Sequence, residues 1–442
     1  MLRNQITTLL ILVFVFPMVS HAQPRQLSLQ EALNLAAENN LQIKSAEARM
    51  HAAKASYRMT NSVFLPGIEA SHTAVSTNDP LSAFGFKLKQ EIVQESDFIP
   101  ATLNNPGSSE NFGTKIQIQQ PLLNLDGIYA RKAAKNQYEA VAFQATRVHK
   151  TIEYEVKRAY FRLELAESSV NVLQRSVEVA EEALRLTKNN EEQGFAKHAD
   201  VLEASVRYEE RKNQLQSARN QQEAAHDYLA HLLGLELNEK VTPTDSLIVP
   251  PEQIVSATNH SIENRSDLQA YQKQIEAGEN MVKSSKMKFF PRLNAFGATE
   301  WNDDALFGTG ANNYTVGASL SWSLFSGFKN AGAVQQAKAQ LDEARYAYND
   351  YLSQSHLQIN NALRNISLNY QQIQSSKLAK EQAQESLRIR TNRFEQGMEK
   401  TADLLMSEAL ASQKELEFIQ AIYNYRQSIF EMELLLETNI NE

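Results

Sequence analysis

Few residues of this 442-residue chain could do chemistry, and most of those lack the partners they would need. There is no Cys, which excludes thiolate metal sites, disulfides and cysteine nucleophiles, and also the lipid-acceptor Cys that some exported bacterial proteins carry after their signal. The nine His are scattered without metal-ligand spacing. Ser285 and Lys288 match a Ser-x-x-Lys pair, but they sit in a polar helical stretch with none of the companion motifs. Gly308-Thr309-Gly310 lacks the third glycine of a nucleotide-binding turn and its strand-to-helix setting. What remains is a carboxylate that recurs within a repeated stretch. The first copy reads Gln193-Gly194-Phe195-Ala196-Lys197-His198-Ala199-Asp200-Val201-Leu202, and the second Gln396-Gly397-Met398-Glu399-Lys400-Thr401-Ala402-Asp403-Leu404-Leu405. A carboxylate so soon after a glycine turn suits the cap of a helix starting there. Glu203, three residues on, gives Asp200 the pattern of a capping box, while Thr401 competes with Asp403 for the second cap. The sequence points to no catalytic residue, no metal and no cofactor.

Each copy lies between two long segments that lack Pro. From 128 to 192 there is neither Pro nor Gly, and Val156, Ala159, Leu163, Ala166, Val170, Leu173, Val177, Ala180 and Leu184 step by three and four. That is a heptad seam, preceded by a stutter at Val148, Ile152 and Val156. A helix of ~65 residues at ~1.5 Å each is about 100 Å long, more than a compact domain needs. The segment 330–396 keeps the same register through Ile359, Ala362, Ile366, Ile373, Ala383 and Leu387. Gly194 and Gly397 are the expected turn residues, so each copy is read as the tip of a helical hairpin.

The rest of the chain is also duplicated. Residues 27–65 predict helix, started by a Ser28/Glu31 capping box, broken at Asn39-Asn40 and stopped at Pro66. Alternating strands follow at 68–74 and 112–120, closed by Pro121 and joined by a long loop over 78–111. After a Pro-containing linker at 235–260, the second copy brings a helix at 264–290 and strands at 293–301 and 314–324. In domain terms this gives a first repeat at 23–240, with a β-hairpin at about 68–120 and its tip at 193–202. A linker at 241–262 leads to a second repeat at 263–442, with a β-hairpin at about 293–324 and its tip at 396–405.

Residues 1–22 read as a secretory signal peptide. Arg3 precedes a short apolar run at 6–16, and Ser20-His21-Ala22 provides a small-residue cleavage site. The net charge of -8 argues against non-specific nucleic-acid binding. No later apolar run approaches the ~20 residues of a membrane helix. Four alternating strands, however, are the pattern of a transmembrane β-barrel, with Phe112, Trp301, Tyr314 and Trp322 suited to its aromatic girdles. Four strands cannot close, and an open edge in lipid leaves backbone groups unsatisfied. The chain is therefore expected to oligomerise.

This combination resembles the TolC family of outer-membrane channel proteins. The resemblance rests on the duplication, Phe64-Leu65-Pro66 and Phe289-Phe290-Pro291, Gln120-Pro121-Leu122 before the first long helix, and the paired tips. It implies an α+β membrane protein: four transmembrane β-strands per chain, twelve in a homotrimer, continuous with a long periplasmic α-helical coiled-coil barrel. It implies a passive exit duct in the outer membrane of a Gram-negative bacterium, with a periplasmic adaptor and an inner-membrane transporter as partners. The transporter would be of the resistance-nodulation-division type in efflux, or an ABC type in type I protein secretion. The resemblance also implies a periplasmic gate at the second tip, at Asp403, with Asp200, Glu399 and Met406 as further candidates. Three Asp403 side chains around one axis would favour cations. Met406 stands where some relatives have a second acidic residue, and Glu399 where some have a basic one. Gly194, Lys197, Gly397 and Lys400 are the candidates for adaptor docking. The alternatives of another class are a periplasmic adaptor, which has one hairpin between lipoyl-like β halves, or a structural coiled-coil stalk, which would need no alternating strands.

Overall fold

In the computed structural model the described residues are 25–237, 239–252 and 262–438. The expected signal peptide lies outside them. Nine α-helices and six strands are described. In chain order they are β1 (Arg25–Leu27), α1 (Leu29–Asn39), α2 (Leu41–Met59), β2 (Gly67–Thr77), α3 (Pro80–Lys89), α4 (Pro100–Asn104), β3 (Ser109–Leu123) and α5 (Leu125–Glu192). The second half has α6 (His198–Leu233), β4 (Val241–Pro243), α7 (Ser266–Met287), β5 (Arg292–Asp303), β6 (Ala311–Ser321), α8 (Lys329–Glu395) and α9 (Thr401–Leu436).

The chain forms two compact units, and they do not follow the sequence repeat. One takes the described parts of 1–41, 152–254 and 364–431; the other takes 42–151, 255–363 and 432–442. Each draws on both copies, so the repeats interleave.

The second unit contains a four-stranded sheet in the order β2-β3-β5-β6, antiparallel throughout. Its register sorts the side chains. Ala70, Ile116, Thr299 and Tyr314 form one row across the sheet, and Ile68, Ile118, Gly297 and Val316 the next. Phe112, Trp301, Ala318 and Leu320 lie on this same, mostly apolar face. The opposite face carries Glu69, Ser71, Lys115, Gln117, Glu300, Asn302, Thr315 and Ser319. Such a sheet can face lipid on one side and water on the other. Among the described residues no helix is long and apolar enough to cross a membrane.

Two expectations for this region need correction. Residues 78–111 are not a plain loop: they fold into α3, a 3-10 turn (Glu95–Phe98) and α4, and β3 already begins at Ser109. Pro121 does not close β3. The strand runs on to Leu123, with a register shift between Pro121 and Leu123. β2 stops pairing at Gln119, so on that side Pro121 has no ladder bond to donate.

The same unit is tied by a buried charge network. The Asp267 carboxylate on α7 accepts from Arg265 (2.6 Å) and Tyr351 of α8 (2.8 Å) and meets Arg147 of α5 at 3.2 Å. Arg147 also pairs with Glu437 at 2.9 Å, and Glu437 accepts from the backbone and hydroxyl of Ser266. Burial alone would raise the Asp267 carboxyl, but the bond from Arg265 and the charges of Arg147 and Arg265 hold it below its ordinary value.

The first unit corrects the expected linker. Val241–Pro243 is strand β4, paired in parallel with β1 in a small two-stranded sheet. Tyr160 of α5 stitches it: its hydroxyl donates to the Leu27 carbonyl (2.8 Å) and accepts from the Asp245 backbone N–H (3.1 Å). Residues 253–261 of that linker lie outside the described residues. The heptad seam is buried as a packing surface: Leu173 and Val177 of α5 pack with Leu215 and Ala218 of α6.

Candidate functional site

Both tips lie in the first unit and share one turn. After α5, Gly194 takes φ 80°; its N–H bonds the Glu191 carbonyl (2.8 Å), and the Phe195 N–H bonds Asn190 (2.7 Å). After α8, Gly397 takes φ 73°; its N–H bonds Phe394 (2.9 Å), and Met398 bonds Arg393 (2.9 Å). These are two Schellman endings, and their left-handed residue is the position where glycine carries no Cβ penalty.

Beyond the turn the copies diverge. The first return helix starts at His198, so Lys197, not Asp200, is its N-cap residue. Asp200 is the third helical residue. Its carboxylate accepts the Lys197 backbone N–H at 2.9 Å, while its own N–H donates to the Lys197 carbonyl at 2.9 Å. The carboxylate half of a capping box is present, but the expected Asp200/Glu203 box is shifted by one turn position. Asp200, Lys197 and Gly194 are exposed.

In the second tip the helix starts at Thr401, and Asp403 occupies the place of Asp200. Its N–H donates to the Lys400 carbonyl at 3.1 Å. Among the described residues its half-buried carboxylate has no hydrogen-bond partner. Thr401 does not cap; its hydroxyl meets that of Thr187 on α5 at 2.9 Å. Glu399 is strapped back onto α8, to Arg390 at 2.7 Å and to Arg393 at 2.9 Å, one carboxylate oxygen each. Its side chain is only 11% exposed. Met406 is 68% exposed and takes no part in this cluster. Gly397 and Lys400 are exposed, like their counterparts.

Sequence reasoning missed several residues here. Leu405 of α9 is buried among Ala180, Ala183 and Leu184 of α5 and Val201 and Ala204 of α6, so the second tip is seated on the first hairpin. Farther along, Arg211 of α6 faces the buried Glu408 of α9 at 3.7 Å, and Ser412 donates to Glu408 at 2.6 Å. Arg390 and Arg393 precede Glu399 by only nine and six residues across the Gly397 turn, and that closeness in sequence was the one signal of their pairing. Arg211 and Glu408 gave no such signal. Phe195 and Met398, each just after the turn glycine, are exposed large apolar residues at 82% and 59%. Between the hairpins a groove of about 1010 Å³ is walled by Ser, Gln and Ala, with Arg211, Lys414 and Glu417 the charged residues along it.

The four expected girdle aromatics lie in the second unit. Phe112, Trp301 and Tyr314 cluster on the apolar face near the end where β2 and β3 are joined, and Trp322 stands just past the opposite end of β6, donating to the Phe289 carbonyl at 2.9 Å. At ~3.3 Å per residue Tyr314 and Trp322 are about 26 Å apart along the chain, or about 20 Å in height once the strands tilt. Among the described residues no group of three or more His, Asp or Glu could hold a metal.

A sheet with one apolar face, joined to helices too polar for lipid, is the build of an outer-membrane channel subunit. The family profile described as outer membrane efflux protein matches residues 32–235 and 257–436, and the chain belongs to that family. It is similar to the alkaline protease secretion protein AprF of Pseudomonas aeruginosa, 22% identical over 326 residues, spanning 72% of this chain and 67% of AprF. Its fold matches the Campylobacter jejuni CmeC outer membrane channel with a TM-score of 0.80 at 18% identity, over 93% of this chain and 86% of the other. The open-state Neisseria gonorrhoeae MtrE outer membrane channel matches with a TM-score of 0.76 at 17% identity, over 93% and 89%. The fold is that of the TolC-like channels, and the protein is an outer-membrane channel of the outer membrane efflux protein family.

Proposed function

We propose that three copies of this chain close one twelve-stranded pore and act as the exit duct of a tripartite export system. The observation that carries this reading is the sheet itself. Its outer strands, β2 and β6, have free edges and run in opposite directions. The β6 edge of one copy can therefore pair antiparallel with β2 of the next, and the ring has no open edge in lipid. The duct conducts and does not catalyse. Its partners are a periplasmic adaptor and an inner-membrane transporter, with efflux beside a resistance-nodulation-division pump as the first reading. The similarity to AprF, named for secretion of alkaline protease, favours type I secretion as the second.

The tips form the periplasmic entrance. Asp403, half-buried and without a hydrogen-bond partner among the described residues, is the charge that three copies would bring together, and the Glu399 strap holds the hairpin around it. Gly194, Lys197, Gly397 and Lys400, together with the exposed Phe195 and Met398, are the surface an adaptor would grip. The test uses the purified full chain. It should run as a trimer from the outer-membrane fraction and give rare openings in a planar bilayer, made frequent by Glu399→Gln. A soluble periplasmic protein, or a bilayer silent in both forms, would overturn the reading.

A further inference from the structure

The two connections at the outer end of the sheet fold to opposite faces. The short one, between β5 and β6, sends Phe307 to the apolar face, where it stacks on His72 with ring centroids 4.4 Å apart. The long one, residues 78–108, crosses the polar face. α3 contacts both β3 and β6, so it reaches across the sheet from the β2 edge. Lys89 at its end pairs with Glu300 of β5 at 3.1 Å, and Glu300 belongs to the polar face. Gln90 is buried and donates from one amide to the Glu110 carbonyl (2.8 Å), the Asn111 side chain (2.9 Å) and the Asp303 carbonyl (3.2 Å). Asn111 in turn donates to Asn302 at 2.9 Å, again on the polar face. Glu300 lies three residues inside the end of β5, so the contact reaches about 10 Å below the rim.

This segment is built, not slack. Asp79 caps α3 through the Ser82 N–H at 2.8 Å, with Pro80 in the first turn. Lys87 binds Asp97 at 2.6 Å, Asp97 accepts the Gln94 N–H at 2.8 Å, and Phe84 packs edge-on against Phe98 at 5.6 Å. Ala83 is fully enclosed.

The geometry points to a second constriction, at the outer mouth of the pore: residues 80–104 of each copy fold inward over the water-filled face and limit the size of what can enter from outside. It is separate from the hairpin tips and works as a return barrier. The inference rests on the reading that copies of the sheet close into a pore, because only then is the polar face a lumen.

The absence of Cys makes single-site labelling clean. Intact cells carrying the full chain with Gln117→Cys, on the polar face below the segment, are treated with a small sulfonated maleimide or a bulky poly(ethylene glycol) maleimide. Val316→Cys on the lipid face is the control. Reagents arriving from outside do not meet the tips, so the periplasmic gate does not enter the result. The small reagent should label Gln117→Cys and the bulky one should be slow. Lys89→Glu with Gln90→Ala should speed the bulky reagent by about tenfold. Exchanging the charges, Lys89→Glu with Glu300→Lys, should restore the slow rate, and replacing 78–107 by a short Gly-Ser turn should abolish the size discrimination. Equal rates for the bulky reagent with and without the anchors, or in the shortened variant, overturn the constriction. If the small reagent fails to reach Gln117→Cys even in the shortened variant, the pore reading itself falls.

Discussion

The two hairpin tips have one backbone and two charge arrangements. Both end a helix of nearly seventy residues with the same glycine turn and the same two carbonyl bonds. The first uses its aspartate locally, to hold the start of α6. The second is fastened by Glu399 and two arginines of α8, and among the described residues the Asp403 carboxylate has no hydrogen-bond partner. Duplication kept the turn, which geometry fixes, and let the charges diverge. A carboxylate consumed by its own helix is a poor gate; one left free beside a strapped hairpin can serve as one.

The strap is the place to break that difference. Replacing both Arg390 and Arg393 by Ala leaves Glu399 poorly solvated and unpaired, so the second tip should loosen from α8. Charge-assisted contacts of this kind are worth about 1.5–3 kcal/mol, which is about tenfold or more in the open population. Planar-bilayer recordings of the trimer read this directly, and an unchanged open probability would show that Glu399 only stiffens its own turn. Asp403→Asn should act less strongly. It removes the charge without changing shape, so cation preference should fall by roughly threefold while openings stay rare. Reversal potentials under a salt gradient measure it. The same change at Asp200 should leave selectivity unmoved.

How much of this was legible in the sequence follows from distance along the chain. The Ser28/Glu31 capping box, the Gly194 and Gly397 turns and the alternation of β6 depend on neighbours within a few residues, and they stand in the structure as local chemistry dictates. The β1–β4 pair was not legible, because two three-residue strands over two hundred positions apart carry no pattern of their own. Residues 80–104 were read as loop because their helices are too short for a period to show. Asp200 was misplaced as an N-cap because Lys197, a poor capping side chain, takes that position through its backbone. The Arg211–Glu408 contact joins the two copies and exists only once they are packed.

The first tip makes its own prediction, smaller than the previous two and of a different kind. Asp200→Ala loses the bond to the Lys197 N–H and should cost about 1 kcal/mol, seen as a lower melting temperature of the trimer. Conductance should not change. If Asp200→Ala opened the channel as the arginine variants do, the two tips would be equivalent after all.

A comparison of the tips by pH has to be read against α5, where a carboxyl titrates near neutrality. Burial, and then the charge of Glu164, push Glu167 up to about 7 from an ordinary 4.5. Glu164 is itself raised by burial, and His226 of α6, 4.0 Å from Glu167, is held neutral to lower pH by its own burial. The sign is that of a raised carboxyl. Below about 4.5 both folded and unfolded chains are protonated there and Glu167 costs nothing. As the pH rises through about 7, the unfolded chain ionises freely while the folded one must charge a half-buried group, so stability falls. Glu167→Gln should remove that slope and stabilise the protein at pH 8 by up to about 1 kcal/mol after solvent screening. At pH 4 it should be neutral. Melting curves of the two forms across this range measure it, and a slope that survives the substitution would move the titrating group elsewhere, with the tips the next place to look.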